Sequence, residues 1–243
     1  MARTPLALAA LATSAIPGLE VVGVRGSQRA SGDVQTAEIV DATGWHWVVR
    51  CPVSAAAGAA MEAERALLQN LAAAVDEERL PFAVPRPAGD VELPEGGRAV
   101  VVPALAGRPL DLEQLGPGPG LSAGLGRAVA ALHELPPEVV ADAGLPVYDA
   151  DSYRARCLAE VDEVARTGHV PAVLLERWEQ ALENVALWRF RTTPVHGDLH
   201  PESILVSGTE VTAMTTFTSA HVGDPAEDLA WLMASAPLDA LDA

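Results

Sequence analysis

Apolar and polar residues alternate along three early stretches, and that alternation predicts strands. "LEVVGVRG" and "VQTAEIVD" flank the turn-rich "SQRASGD", and "WHWVVRCP" follows after "ATG", which together read as a three-strand antiparallel meander. The period then lengthens. In "SAAAGAAMEAERALLQNLAAAV", Met61, Leu68, Leu71 and Val75 recur at helical spacing behind Ser54, a residue type that caps helix starts. Glu64 falls inside that apolar row, three residues after Met61 and four before Leu68, and a carboxylate on a buried face requires a partner. Ahead of the meander, Thr4 and Pro5 have the chemistry of a helix start, Leu6, Leu8, Leu11 and Ile16 supply apolar positions, and Pro17 and Gly18 stop it. A secretion signal fits this stretch less well, because its positive region is the single Arg3 and its apolar run is broken by Thr13 and Ser14.

Beyond the long helix the text changes character. "LPFAVPRPAGDVELPEGG" is rich in proline and glycine, "RAVVVPAL" is a buried-strand run, and "AGRPLDLEQLGPGPG" reads as a hinge and linker. From Leu121 the pattern is mainly helical. "LSAGLGRAVAALHELP" forms one helix, "DSYRARCLAEVDEVARTG" a second with Asp151 as its cap and Gly168 as its stop, and "PAVLLERWEQALENVALWRF" a third opening on Pro171. Two short strands, "SILVSG" and "EVTAMTTF", bracket a turn at Gly208, and "PAEDLAWLMAS" starts another helix. Trp45 and Trp47 are expected in the core of the sheet lobe, and His133 at the end of its helix near the last carbonyls.

Composition narrows the chemistry. All 16 basic residues are arginine, so no lysine can serve as a phosphate ligand, Schiff base or general base. The net charge of -17 repels nucleic-acid backbones and favours a cationic small molecule as partner. Cys51 and Cys157 lie far apart, which indicates neither a disulfide framework nor a zinc site and fits a reducing cytoplasm. No stretch is long and apolar enough to predict a membrane span.

Chemistry-bearing residues gather near the end. "VHGDLHPESILV" and "TTFTSAHVGDPAEDLAW" bring His196, Asp198, His200, His221, Asp224 and Asp228 into a short span. His196 and His200 have the spacing of a zinc-protease pair, but Gly197 and Pro201 oppose the helix such a pair needs, and no glutamate follows His196 as a base. No GxSxG nucleophile motif occurs.

"HGDLHPESILV" followed by "GDPAEDLAW" resembles the catalytic segment of the aminoglycoside and macrolide phosphotransferases, the antibiotic-kinase branch of the protein-kinase-like fold. The likeness extends over "WVVRCP", the helix with Glu64, "VVVPALAGRPL" and "LGRAVAALHELP". It implies an α+β, bilobal, protein-kinase-like chain: a small antiparallel-sheet N-lobe with one long helix (1–102, nucleotide-binding), a hinge and linker (103–120), and a mainly helical C-lobe (121–243) carrying the catalytic motif. The family continues with more helices than this C-terminus provides, so a truncated acceptor side is expected.

The resemblance also assigns roles. It makes Asp198 the carboxylate that takes the acceptor hydroxyl's proton, with ATP or GTP and Mg2+ as cofactors and a small-molecule acceptor. The family's nucleotide-clamping lysine is replaced by Arg50, with Glu64 as its helix partner, and Gly26 and Gly32 fall where a phosphate-covering loop would lie. The family's two metal ligands are an asparagine five residues after the HGD aspartate and an aspartate at a strand end, and here those positions hold Ser203 and Thr216. Neutral hydroxyls supply no anionic oxygen for magnesium, which weighs against Mg2+ binding and leaves two functions open: an impaired small-molecule O-phosphotransferase, or a non-catalytic nucleotide- or ligand-binding module.

Overall fold

The computed structural model describes residues 3–29 and 34–235. Gly32 lies outside the described residues. Helix α1 (Pro5–Ala15), capped by the Thr4 hydroxyl, is followed by β1 (Val21–Arg29), β2 (Val34–Asp41) and β3 (His46–Pro52). Helix α2 (Ala55–Asp76), capped by Ser54, leads to β4 (Gly89–Glu92) and β5 (Arg98–Pro103). These strands form one antiparallel sheet in the order β1-β2-β3-β5-β4.

Strand alternation decides what each face of this sheet carries. Ala37, Ile39, Val49, Cys51, Ala99 and Val101 point to one face, where α1 buries Leu8, Ala9 and Ala12 against them. Val34, Val48, Val100 and Val102 point to the other, against Ala57 and Met61 of α2. Arg50 lies between Val49 and Cys51 in sequence and therefore faces α2, paired in register with Val100.

The second lobe contains β6 (Arg108–Pro109), α3 (Leu121–His133), α4 (Glu138–Ala141), α5 (Ala150–Arg166), α6 (Ala172–Glu183), β7 (Thr193–Val195), β8 (Ile204–Ser207), β9 (Glu210–Met214), β10 (His221–Gly223) and α7 (Glu227–Ser235). Its strands make two small sheets, β6-β8-β9 and β10-β7. Leu67, Leu68, Leu71 and Ala74 of α2 share a core with Leu125, Ala128, Val129 and Leu132 of α3 and with Ile204, Met214 and Phe217, so α2 belongs to both lobes. Ala83 adds a backbone tie, donating to Thr212 O (2.9 Å) and accepting from Met214 N (3.0 Å). This is the sheet-plus-helices, bilobal arrangement expected from the sequence.

Several local expectations are corrected. Trp45 is 57% exposed rather than core: it sits in the β2–β3 turn ahead of the strand, its N–H held by Asp41, while Trp47 packs on the α1 side. The cap of α5 is Asp149, whose carboxylate accepts the Ser152 N–H at 2.7 Å, whereas Asp151 lies in the first turn. The third helix stops at Glu183, where the Asn184 side chain turns the chain into a 3-10 turn over Val185–Trp188. His133 leaves its own helix end and reaches Asp228 at 2.9 Å. Strands β4, β6, β7 and β10 and the short helix α4 have no counterpart in the sequence expectations.

Candidate active site

The HGD loop leaves β7 and bends at Gly197, whose φ of +78° lies in the left-handed region. A side chain there would strike the Ser219 carbonyl, so both conformation and space require glycine. His196 is fully buried, and burial pushes its pKa down and keeps the ring neutral. Its Nε2–H donates to Thr215 O (2.8 Å), which leaves the Nδ1 lone pair to accept the Asp198 N–H (3.3 Å). Asp198 itself is exposed, and the ring Nδ1 of His200 donates to its carbonyl at 2.8 Å. A neutral histidine thus anchors the loop while the following aspartate is presented outward.

Asp228 fixes the loop from below. Its carboxylate accepts the N–H of His196 (2.8 Å), the N–H of Gly197 (2.9 Å) and His133 Nε2 (2.9 Å). Burial alone would raise its pKa, but these donors outweigh it and hold the group below the usual carboxylate value. Sequence reasoning placed Asp228 in the polar span without assigning this role. Its apolar helix neighbours Trp231 and Leu232 were the available signal, since an acidic residue on a packed helix face needs several donors.

Arg50 and Glu64, 14 residues apart, meet across the strand–helix interface: Nη1 lies 2.6 Å from Oε2. The other oxygen of Glu64 accepts the backbone N–H of Phe217 at 2.7 Å. Phe217 is buried, with its ring centroid 4.6 Å from that of His196. A continuous line of contacts therefore runs from Arg50 through Glu64 and Phe217 to the HGD loop.

The two positions that resemble metal ligands are built differently. Ser203 is fully buried, its hydroxyl accepting the His200 N–H (3.0 Å) and donating to the His200 carbonyl (2.9 Å). It works as a cap of its own loop, with its donor committed. Thr216 precedes Phe217 with φ +66°, an unusual conformation for a β-branched residue. Among the described residues no group of three or more His, Cys, Asp or Glu side chains is placed to hold a metal ion. Among the described residues no helix is long and apolar enough to cross a membrane.

The chain is 28% identical over 209 residues to the uncharacterized protein YcbJ of Bacillus subtilis (strain 168), a match covering 81% of this chain and 65% of that protein. Among solved structures, the apoenzyme of macrolide 2'-phosphotransferase MphH from Brachybacterium faecium is 27% identical with a TM-score of 0.80, covering 98% of this chain and 80% of that one. A macrolide 2'-phosphotransferase type I is 28% identical with a TM-score of 0.74, covering 94% and 75% respectively. The GDP complex of wild-type aminoglycoside 2'-phosphotransferase-IIIa, 19% identical, shares the fold with a TM-score of 0.78 over 96% of this chain and 78% of that one. The fold is the protein-kinase-like one of these enzymes, and because residues 28–243 match the phosphotransferase enzyme family, APH, the chain belongs to that family.

Proposed function

We propose that the chain binds a nucleoside triphosphate, ATP or GTP, between its lobes and transfers phosphate to a small-molecule hydroxyl only slowly. Arg50 would grip the donor phosphates, since its guanidinium presents five donors and Glu64 engages it through Nη1. Glu64 orients it, and Asp198 accepts the acceptor hydroxyl's proton as the oxygen attacks the γ-phosphorus and the β–γ bridging oxygen departs with the diphosphate. Macrolides and aminoglycosides, the acceptors named for the structural neighbours, set the first acceptor classes to try, and the charge of -17 favours such cationic molecules.

Ser203 carries the conclusion that transfer is slow. Ser203 and Thr216 offer only neutral hydroxyls, the first already engaged by His200, so no step is assigned to magnesium. Forgoing the several kcal/mol of charge stabilisation that a metal supplies costs several powers of ten in rate, at about 1.4 kcal/mol per decade. The deciding experiment titrates ATP and GTP with magnesium and with EDTA, then assays transfer to a macrolide and an aminoglycoside. We expect binding that depends little on magnesium, weakened by Arg50→Ala, and weak turnover. Robust transfer abolished by Asp198→Ala would overturn the slow-transfer conclusion, and absence of nucleotide binding would overturn the proposal whole.

A further inference from the structure

Helices α5 and α6 form an arm that is held to the lobe by few groups. Of the 17 residues of α5 only Tyr153 is buried, and of the 12 of α6 only Leu182. Leu182 closes the arm on itself, its carbonyl accepting Arg154 Nε at 2.5 Å. Tyr153 is thus the anchor to the rest of the lobe. Its hydroxyl donates to Glu227 Oε2 at 2.7 Å, and its ring stacks on His221 with centroids 6.2 Å apart and planes 15° from parallel.

His221 connects this anchor to the HGD loop. It pairs in register with Val195 on β7, and its ring lies between two glycines: a side chain on Gly197 would come within 3.2 Å of Nδ1, and one on Gly223 within 2.7 Å of Nε2. Nδ1 lies 3.0 Å from the Ser219 carbonyl, which can only accept, so Nδ1 carries a hydrogen. In the neutral ring Nε2 would then hold a lone pair, facing the Glu227 carboxylate 3.1 Å away. That arrangement repels, and protonating Nε2 turns it into an ion pair. Nε2 is buried with no well-aligned acceptor, so charge attraction rather than hydrogen-bond geometry is what holds Glu227 there.

We propose that Glu227, His221 and Tyr153 form a pH-dependent latch that docks the α5–α6 arm against the Asp198 loop. The charged and titratable groups facing His221 are Glu227 from α7, Tyr153 and Arg156 from α5, and Tyr148 just before α5. Arg156 lies over the Tyr148 and Tyr153 rings, 3.9 Å from Glu227, and pairs with Glu160 at 3.4 Å. Burial would lower the pKa of His221, but the Glu227 contact outweighs it and the net shift is upward. Burial would raise Glu227, but His221 and Tyr153 outweigh that and the net shift is downward. The latch is therefore strongest between the ordinary values of 4.5 for glutamate and 6.5 for histidine. It is lost as pH rises through the raised pKa of His221, and as pH falls through the lowered pKa of Glu227.

Hydrogen–deuterium exchange over 150–188 tests this without reference to catalysis or nucleotide. After correction for intrinsic amide exchange, arm protection in the native protein should fall about tenfold between about pH 6 and about pH 9, while β2 and β3 stay protected. Glu227→Gln and His221→Asn should each flatten that pH dependence, and Tyr153→Phe should lower arm protection at all pH values. If one variant fails to fold, the native pH profile and the remaining variants still decide. Protection independent of pH in the native protein, or an undiminished pH dependence in Glu227→Gln, would overturn the latch.

Discussion

Glu64 accepts the Phe217 backbone N–H at 2.7 Å with one carboxylate oxygen and pairs with Arg50 at 2.6 Å through the other. The first bond reaches the end of β9 and the second the sheet lobe, so one buried side chain sets the spacing of the strands on which nucleotide binding would depend. Removing it strands a guanidinium and an amide together. Glu64→Ala should destabilise the fold by about 3–5 kcal/mol, the cost typical of breaking a buried ion pair from one side. Chemical denaturation measures this, and a loss under 1 kcal/mol would mean water replaces both bonds.

Asp228 makes a comparable demand on the HGD loop. Asp228→Asn keeps the shape but turns an amide toward donors that need acceptors, at a cost of about 3 kcal/mol. Because its pKa is lowered in the fold, its stabilising contribution is complete above the ordinary value of 3.8 and fades as pH falls through the folded value. Acid denaturation of the native protein should therefore steepen below about pH 4, and the Asn variant should lose that part of the pH dependence. An unchanged acid limb would assign acid denaturation to other carboxylates.

Local chemistry made much of this site legible before any coordinates. The helical row through Met61 and Leu68 exposed Glu64 as a buried charge in search of a partner, whereas Arg50 was named through the family resemblance and only the register of its strand shows that it faces Glu64. Strands of three residues such as β7 and β10 carry no period to detect, and β4 hides in a proline-rich stretch, so their existence depends on tertiary partners. The Glu64–Phe217 bond joins residues 153 apart and has no local signature at all. Asp149 over Asp151 is a smaller case, since two acidic residues on either side of Ala150 compete for one cap and only the backbone conformation chooses.

Thr216 holds φ at +66°, where a β-branched side chain crowds its own backbone. Thr216→Gly or Thr216→Asn should relieve this strain and raise stability by about 0.5–1 kcal/mol, a rise of about 1–4 °C in melting temperature. Glycine also loosens the unfolded chain, so asparagine, which tolerates the left-handed region while keeping a side chain, is the cleaner test. A lower melting temperature in Thr216→Asn would mean that the hydroxyl contributes more than the backbone loses.

Aspartate at position 216 would tolerate the same backbone and add the anionic oxygen that magnesium prefers. Position 203 is the harder half, because Ser203 is fully buried and both of its hydrogen bonds go to His200. Asparagine is larger but still offers a donor and an acceptor, so its amide group could satisfy one His200 contact while its oxygen turns toward the ion. Thr216→Asp with Ser203→Asn should therefore make nucleotide binding magnesium-dependent by about tenfold or more, about 1.4 kcal/mol, against about twofold or less in the native protein. Either single variant should fall between these, since each restores only one of the two oxygen ligands. Calorimetric titration with magnesium and with EDTA reads the difference directly. Strong magnesium dependence already present in the native protein would show that other oxygens, Asp198 among them, hold the ion, and the slow transfer inferred from Ser203 and Thr216 would no longer follow.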